Sequence, residues 1–239
     1  MKTISERLHD RFYSGPRYDG TLLFYDWVRE HASAETRLLN MGAGPPTRNP
    51  TRIFKGTVAE VVGADVDKCV FGNDELDRAV LIQNGRLPLS DETFDLALSD
   101  YVLEHVENPA QFLAEVYRVL KSGGHFFFRT PNIYHYVALV SAATPHWFHG
   151  LVANRARAND LGSQEPWPTC YKLNSRRAIT AAARTAGFRV IELRLVEMEP
   201  SYLRFHPLAF FAGVCYERIV NSHKIFAGLR ANYFGCLTK

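Results

Sequence analysis

A short strand that runs directly into Gly42-Ala43-Gly44 is the first feature of the sequence that could bind a ligand. The stretch from Arg37 to Met41 predicts the strand, and the glycines let the backbone approach a molecule at the carboxyl edge of a parallel sheet. A second predicted strand, Glu60 to Asp65, ends in an acid about 20 residues further on, where a carboxylate can hold both hydroxyls of a ribose. Together the turn and the acid indicate a ligand that contains adenosine.

A dinucleotide is the alternative that this pattern leaves open. The Rossmann fingerprint Gly-x-Gly-x-x-Gly needs a third glycine, so that the start of a helix meets the pyrophosphate. Here Gly44 is followed by Pro45 and Pro46, which have no N–H to donate to a phosphate. The sequence therefore disfavours NAD and FAD, and a Rossmann oxidoreductase is a rival interpretation with less support.

A longer set of motifs lies between Leu38 and Asn132. Its members are Leu87-Pro88-Leu89, Phe94-Asp95, Leu103-Glu104-His105, the run from Arg118 to Gly124, and Thr130-Pro131-Asn132. In this region the sequence resembles the class I S-adenosylmethionine-dependent methyltransferases, in the broad small-molecule (type 11-like) group. The resemblance implies an α/β, Rossmann-like fold with a seven-stranded, mostly parallel sheet whose last strand is antiparallel. It also implies S-adenosylmethionine as cofactor and S-adenosylhomocysteine as product.

The resemblance further implies which residues contact this cofactor. The turn Gly42, Ala43 and Gly44 would lie against its methionine and ribose parts. Residues that follow the other strands would hold the ribose hydroxyls, the adenine and the methionine end in turn; they are Asp65, Val66, Gln83, Asn84, Asp100 and Tyr101. Gln83 stands where the family often has an acid, and its amide carbonyl can accept the same hydrogen bond.

Three positions depart from the family pattern. Asn40 replaces an acid, Pro46 replaces the third glycine, and Ser122 replaces a proline. The short, proline-rich segment after Gly44 also predicts a stunted first helix. Because the first two departures affect the cofactor site, a catalytically inactive protein of this fold that serves as a binding or scaffolding partner is a second rival interpretation.

Two arginines of the same segment could meet the carboxylate of the cofactor. These are Arg48 and Arg52. A solvated surface arginine is nevertheless the more ordinary expectation for each of them.

Short apolar stretches that alternate with helical patterns predict a parallel sheet. The predicted strands are Arg37–Met41, Glu60–Asp65, Ala79–Gln83, Phe94–Ser99, His125–Arg129, Phe188–Val196 and Arg230–Thr238. The predicted helices are Gly20–His31, Pro109–Lys121 (ended by Gly123-Gly124), one capped by Asn174-Ser175 that runs through Ala186, and Pro207–Asn221. The predicted division is an N-terminal helical cap (1–36), a cofactor-binding core (37–131 and 174–239) and an insertion (132–173), within one domain overall.

The insertion is rich in aromatic residues and histidine, and it follows the fifth strand, at the ligand-binding edge. We therefore expect a helical lid that supplies the acceptor pocket. The candidate substrate-binding residues are Tyr134, Tyr136, His146, Trp147 and His149. Although His146 and His149 have a spacing that metal ligands use, no nearby acid or cysteine completes a set, so we expect no metal.

Methyl transfer to a hydroxyl benefits from a general base with a pKa near 7, and histidine suits this role best. His135, between two tyrosines just after the fifth strand, is the first candidate. His105 is the second, although a packing role at the start of a helix is the more ordinary interpretation of it. These residues lead to the functional hypothesis of methyl transfer to a small molecule, with O-methylation of a secondary metabolite, sugar or lipid-linked intermediate as its more specific form.

Composition and charge limit the other classes of function. The 28 basic residues against 25 acidic ones give too mild a balance to indicate a nucleic-acid partner. Ser99-Asp100-Tyr101-Val102 also lacks the Asn/Asp-Pro-Pro-aromatic motif of base-methylating enzymes. Four scattered cysteines and a polar N-terminus favour a reduced, cytoplasmic protein. In the apolar C-terminal third, a helix packed on the sheet is favoured over peripheral membrane contact.

Overall fold

The computed structural model describes residues 3–137 and 167–239 of the chain. The helices are α1 (Ile4–Phe12), α2 (Gly20–Arg29), α3 (Pro109–Val119), α4 (Arg176–Thr185) and α5 (Pro207–Ser222). The strands are β1 (Arg37–Met41), β2 (Glu60–Asp65), β3 (Arg78–Leu81), β4 (Phe94–Asp100), β5 (Leu120–Pro131), β6 (Arg189–Val196) and β7 (Asn232–Thr238). Short 3₁₀ turns, among them Pro50–Arg52 and Leu103–His105, connect them.

The strands form one seven-stranded sheet in the order β3-β2-β1-β4-β5-β7-β6. The pairs from β3 to β5 are parallel. Strand β7 runs antiparallel to β5, since Gly123 near the start of β5 donates to Lys239 just after the end of β7 (3.1 Å), whereas Asn132 after β5 donates to Ala231 before β7 (2.7 Å). This confirms the predicted fold class. Most of the predicted lid, 132–173, lies outside the described residues.

Successive side chains of a strand point to opposite faces of the sheet, so both faces carry apolar residues and each is covered by helices. Phe127 contacts Trp27 of α2 edge to face, with ring centres 5.0 Å apart. Phe126 turns to the opposite face and contacts Phe112 of α3 at 6.2 Å. Both phenylalanines are fully buried, and each such burial contributes about 1.5–3 kcal/mol.

Helix α3 forms where the sequence predicts it. Asn108 caps its start by accepting from the Gln111 N–H (3.2 Å), and Pro109 fills the first turn, where no N–H is needed. The helix ends at Val119, earlier than predicted, and Gly123-Gly124 do not end it. Leu120 is buried and pairs with Phe94, so the chain must leave the helix to enter the sheet. Gly123, with φ of +80°, instead turns the chain within an irregular section of β5.

The described residues divide into two compact units. One holds 24–130, 169–194 and 233–239, and therefore most of the sheet. The other holds 3–23, 131–137, 167–168 and 195–232. The division into cap, core and insertion stays a prediction.

The unit without the sheet has its own small apolar cluster. Tyr13, Phe210 and Val214 are buried together, and the rings of Tyr13 and Phe210 meet edge to face at 5.9 Å. The Tyr13 hydroxyl donates to Glu217 (3.3 Å), and burial raises the pKa of that hydroxyl, so it stays protonated. On the other side of α5, apolar side chains such as Leu208 are exposed. Within the described residues, no helix is long and apolar enough to cross a membrane.

Candidate cofactor and active site

The carboxyl ends of three neighbouring strands bring the predicted cofactor residues to one edge of the sheet. Met41 pairs with Ala64 of β2 on one side and with Ser99 of β4 on the other. The residues that follow these three positions, Gly42, Asp65 and Asp100, are therefore neighbours. The strand order brings these residues to one edge of the sheet, and their role in binding the cofactor stays a prediction.

The turn after β1 is held tightly against the end of β2. Gly42 has φ of +73° and donates its N–H to the Ala64 carbonyl (2.7 Å). A Cβ atom on Gly42 would lie 2.3 Å from Cγ2 of Val102, so any side chain there collides with the loop that follows β4. Ala43 is buried, and the N–H of Gly44 donates to Oδ2 of Asp65 (2.9 Å).

The carboxylate of Asp65 is fixed by backbone hydrogen bonds on both oxygens. Oδ2 accepts from Gly44, and Oδ1 accepts from the N–H of Asp67 (2.9 Å). Each carboxylate oxygen has a second acceptor site that can receive a hydroxyl. Val66, the next residue, is 57% exposed, so its apolar side chain is accessible to the adenine ring of a bound cofactor, as the sequence predicts.

Gln83 and Asn84 lie in a tight turn after β3. The backbones of Gln83 and Arg86 exchange two hydrogen bonds (3.2 and 2.9 Å), and Asn84 takes φ of +52° between them. Gln111 of α3 holds the turn by donating to the Asn84 carbonyl (2.7 Å). Both predicted side chains are exposed, and their contact with adenine stays a prediction.

Asp100 is the centre of a buried charged cluster. Its carboxylate is bound by Arg129 through two donors, Nε and the NH2 nitrogen (2.9 Å for the latter), and it accepts from the Tyr25 hydroxyl (3.1 Å). The side chains of Asp100 and Arg129 are only 7% and 3% exposed. Burial alone would lower the pKa of Arg129, but the hydrogen bonds and charge of Asp100 raise it above the usual arginine value. The carboxylate of Asp100 is therefore firmly oriented.

Tyr101 covers this cluster from the solvent side. It has φ of +57°, and its ring lies 4.7 Å from the guanidinium carbon of Arg129. Sequence reasoning missed Arg129 and Tyr25. Asp100 and Arg129 occupy paired positions on adjacent strands, a register that the sequence alone does not show.

A cleft opens between the Gly42 turn, β1 and the 3₁₀ turn Pro50–Arg52. Its lining includes Tyr25, Asn40, Gly42, Arg52, Phe54 and Asp100. Between Gly44 and β2 this 3₁₀ turn is the regular structure present, as the stunted first helix predicts. Within residues 44–60, which the structure describes in full, no α-helix begins, and this argues against pyrophosphate binding at the turn.

Glu104 lies next to this edge and is buried. Its carboxylate accepts from the Thr130 hydroxyl (3.1 Å), and its carbonyl accepts from the N–H groups of Cys170 (2.6 Å) and Tyr171 (3.0 Å). Burial raises the pKa of Glu104 to about 7; hydrogen bonds from its own backbone and from Thr130 oppose this rise, as does the charge of Arg129, while the charge of Asp100 adds to it.

We expect Glu104→Gln to stabilise the protein above neutral pH. A carboxyl with a folded-state pKa above its reference of 4.5 favours folding while protonated, and that advantage is lost as pH rises towards 7. At about pH 8 the variant should gain up to about 3 kcal/mol of unfolding free energy over the wild type, and little at about pH 4.5. Urea unfolding at both values measures this.

Glu60→Gln serves as the control of opposite sign, because hydrogen bonds from Arg37 lower the pKa of Glu60. It should lose stability at the higher pH. An equal effect of Glu104→Gln at both pH values would contradict the assignment of a raised pKa.

The two candidate bases lie in different units. His105 ends the 3₁₀ turn after β4, where its N–H donates to the Val102 carbonyl (2.9 Å). His135 belongs to the unit without most of the sheet and is buried, with Nε2 3.5 Å from Oε2 of Glu197. Its ring lies 4.2 Å from that of Tyr136 and 5.6 Å from that of Tyr216. Glu197 was missed in the sequence, since it is 62 residues away and no local pattern marks it.

The remaining predicted acceptor residues are only partly described. Tyr134 is exposed and Tyr136 is half-buried beside His135. His146, Trp147 and His149 lie outside the described residues. The roles of all five stay predictions.

The residues at the sheet edge fit the cofactor that the sequence resemblance implies. Gly42 lets the turn pack closely between the end of β2 and Val102, and Asp65 presents a carboxylate whose oxygens can each accept from a further hydroxyl. The cleft beside them is lined by one guanidinium, Arg52, and by two carboxylates, Glu75 and Asp100, so both charges of an amino acid have a group of opposite charge there. Adenosine and methionine thus each have matching groups.

Comparisons with known proteins agree with this fit. Residues 39–128 match the family model described as methyltransferase domain, which is less than half of the chain. A Mycolicibacterium smegmatis protein named "Probable S-adenosylmethionine-dependent methyltransferase" is 33% identical over 119 residues, 44% of this chain and 46% of that protein. The ubiquinone biosynthesis O-methyltransferase of Photobacterium profundum is 28% identical over 118 residues, 45% and 49% of the two chains. The chain thus spans about half the length of these curated relatives.

Solved structures extend the likeness of the fold beyond the matched segment. An S-adenosylmethionine-dependent methyltransferase from Mesorhizobium loti aligns with a TM-score of 0.53 and 16% identity, over 93% of this chain and all of that one. Sequence motifs, strand order and family model converge on the same region. Residues 39–128 therefore match a methyltransferase domain, and they are similar to S-adenosylmethionine-dependent methyltransferases in sequence and in strand order.

Proposed function

We propose that this protein transfers a methyl group from S-adenosylmethionine to a hydroxyl of a small molecule. The observation that carries the proposal is the contact between the Gly42-Ala43-Gly44 turn and the carboxylate of Asp65 at the carboxyl edge of the sheet. This contact puts a glycine turn next to an acid whose oxygens each keep an acceptor position that a ribose hydroxyl would use. The matched domain and the relatives named as methyltransferases support the reaction class.

Each residue of the edge has a part in holding the cofactor. Gly42, Ala43 and Gly44 would hold its methionine and ribose parts, and Asp65 would accept from both ribose hydroxyls. Apolar and amide groups, Val66, Gln83 and Asn84, would bind the adenine. Asp100 and Tyr101 would border the methionine end. The bound cofactor supplies an already activated methyl group, so the chain's main tasks are positioning and exclusion of water.

We expect Asp65→Ala to weaken the binding of S-adenosylhomocysteine by about 1–3 kcal/mol, because two hydroxyls lose a charged acceptor. Isothermal titration calorimetry measures the change. Asp74→Ala is the control, since Asp74 is exposed and pairs with Arg48 at the surface. If both variants bind like the wild type, Asp65 does not hold the ribose.

His135 is our proposed general base. Nε2 lies 3.5 Å from the Glu197 carboxylate without a hydrogen bond between them; a proton on Nε2 would be attracted by this charge, and Nδ1 would then carry the lone pair that takes the proton of the acceptor hydroxyl. A carboxylate that orients a histidine is a common arrangement for proton transfer. The alternative is that His135 only packs between Tyr136 and Tyr216. The contacts are the same in both cases, so kinetic measurements on a variant are needed to distinguish packing from catalysis.

His135→Ala should lower kcat by about 10²–10⁴-fold, because the acceptor loses its base. The affinity for S-adenosylhomocysteine should stay near that of the wild type, since a base acts on the acceptor. Steady-state kinetics and calorimetry give the two quantities. The same measurements on His105→Ala decide between the two histidines: a loss of kcat in that variant alone would transfer the role to His105.

O-methylation is the more specific form of the proposal. The ubiquinone biosynthesis O-methyltransferases among the relatives support it, as does a histidine suited to deprotonating a hydroxyl. The acceptor would be a hydroxylated secondary metabolite, a sugar or a lipid-linked intermediate. The protein would act in the reduced cytoplasm. The four cysteines, Cys69, Cys170, Cys215 and Cys236, are free thiols, which is compatible with that setting.

A panel of hydroxylated acceptors with methyl-labelled S-adenosylmethionine tests the proposed activity. We expect labelled product and S-adenosylhomocysteine in equal amounts from at least one acceptor class. Binding of the cofactor without turnover on any acceptor would favour the inactive scaffold that Asn40 and Pro46 suggest. Label on nitrogen or carbon in the product would contradict O-methylation alone.

A further inference from the structure

The stretch between the Gly42 turn and β2 places one arginine at the cofactor cleft. The 3₁₀ turn Pro50–Arg52 stands where the first helix is missing, and Arg52 at its end lines the cleft with Gly42 and Asp100. Its side chain is 32% exposed. The expectation of a solvated surface arginine therefore does not describe Arg52.

Helix α2 holds this turn in place. Arg29 donates to the carbonyls of Thr51 and Ile53 (3.5 Å for the latter), on both sides of Arg52. The guanidinium of Arg29 also lies 5.0 Å from the ring centre of Phe54. The backbone that carries Arg52 is thus fixed from a helix, so its guanidinium is presented to the cleft by a rigid support.

The positive charge of Arg52 is only partly compensated at this end of the cleft. Asp100 forms its close, doubly hydrogen-bonded pair with Arg129, whereas Arg52 is 3.5 Å away. Within residues 3–137 and 167–239, Asp100 is the one ion-pair partner that Arg52 has. Two guanidiniums facing one carboxylate carry a surplus positive charge, which attracts an anion.

The other acid of the cleft does not cancel this surplus locally. Glu75 accepts from the N–H groups of Thr47 and Arg48 (3.0 and 2.6 Å) and from the Thr47 hydroxyl (3.1 Å). Its carboxylate is thus engaged by the loop, and no ion pair between it and Arg52 is present in the described structure. The surplus positive charge, from Arg52 and Arg129 around Asp100, therefore lies at the Asp100 end of the cleft.

We propose that Arg52 binds the α-carboxylate of the cofactor's methionine part and thereby selects ligands that carry this group. The inference rests on the proposed function, because it presumes that S-adenosylmethionine lies along the Gly42 turn. From there the cleft leads to Arg52 and Asp100, and a guanidinium matches a carboxylate with paired donors. Asp100 keeps the Arg52 guanidinium near the cleft at 3.5 Å and leaves donors of that guanidinium available to a carboxylate.

The experiment compares two ligands on two matched variants. Arg52→Gln and Arg48→Gln each remove one positive charge from the same loop, but Arg48 is 69% exposed and pairs with Asp74 at the surface. Calorimetry measures the affinity of each for S-adenosylhomocysteine and for its decarboxylated analogue, which keeps the ammonium group. Arg52→Gln should weaken binding of S-adenosylhomocysteine about tenfold and leave that of the analogue nearly unchanged. Arg48→Gln should bind both like the wild type.

The outcomes separate this inference from the function on which it rests. If Arg52→Gln weakens both ligands equally, Arg52 acts by supporting the Asp100 cluster and the inference is wrong. It is also wrong if neither affinity changes. Failure of the wild type to bind S-adenosylhomocysteine at all would instead overturn the proposed function.

Discussion

Replacing Arg129 with methionine is expected to lower the free energy of unfolding by about 3–5 kcal/mol. Among the residues that the structure describes, the substitution leaves the buried carboxylate of Asp100 with the Tyr25 hydroxyl and the more distant Arg52 as its partners. Methionine fills much of the volume, so most of the loss comes from the uncompensated charge. Urea unfolding of wild type and variant measures the effect.

Arg78→Met is the matched control for this prediction. Arg78 also forms an ion pair at the sheet, with Glu60 (3.3 Å), but its side chain is 45% exposed. An exposed pair of this kind contributes about 0–1 kcal/mol. Equal losses in the two variants would show that the Asp100–Arg129 pair has no special importance for stability.

Gly42→Val is expected to abolish measurable binding of S-adenosylhomocysteine. A β-branched residue at φ of +73° is strained, and its Cβ would lie 2.3 Å from Val102 in the space beside the cleft. The turn must then move away from the end of β2, where it now meets Asp65. Calorimetry measures the loss, and circular dichroism reports whether the sheet remains folded.

Gly56→Val isolates the steric part of this effect. Gly56 also has a positive φ, +81°, but a Cβ there meets nothing within 4 Å. The control should therefore lose some stability and keep its affinity for S-adenosylhomocysteine. A folded Gly42→Val variant that binds like the wild type would show that the glycine turn is not the cofactor site.

The central fold could be predicted from the sequence because local patterns and tertiary structure agree there. The strands β1, β2 and β4 are short apolar stretches that end in turn or polar residues, and their predicted limits differ from the observed ones by at most one residue. Helix α4 follows its predicted cap, Ser175, which accepts from the Ala178 N–H (3.3 Å). In each case one local rule suffices.

Where the prediction was wrong or incomplete, long-range packing or a weak local signal explains the difference. Pairing of the buried Leu120 with Phe94 ends α3 before its glycines. Helix α1 was not placed, since its sequence is polar, but Thr3 and Glu6 form a capping box that the sequence does show.

The candidate site also contains residues that the sequence reveals and partners that it does not. Gly42 and Asp65 were found because each follows a recognisable strand. The partners that give the site its charge, Arg129 for Asp100 and Glu197 for His135, come from distant parts of the chain, so sequence spacing does not reveal them. Asn40, which is neutral, and Arg52, which carries surplus positive charge, line the same cleft, and this proximity is visible only in the folded structure.

Calorimetric titration of the wild-type protein with S-adenosylhomocysteine, and separately with NAD⁺, is the most direct test of the account. Binding of one S-adenosylhomocysteine per chain, with no heat from NAD⁺, is the predicted result, because the Gly42 turn and Asp65 suit adenosine while Pro45 and Pro46 deny the pyrophosphate its donors. Binding of NAD⁺, or the absence of any heat with S-adenosylhomocysteine, would contradict it.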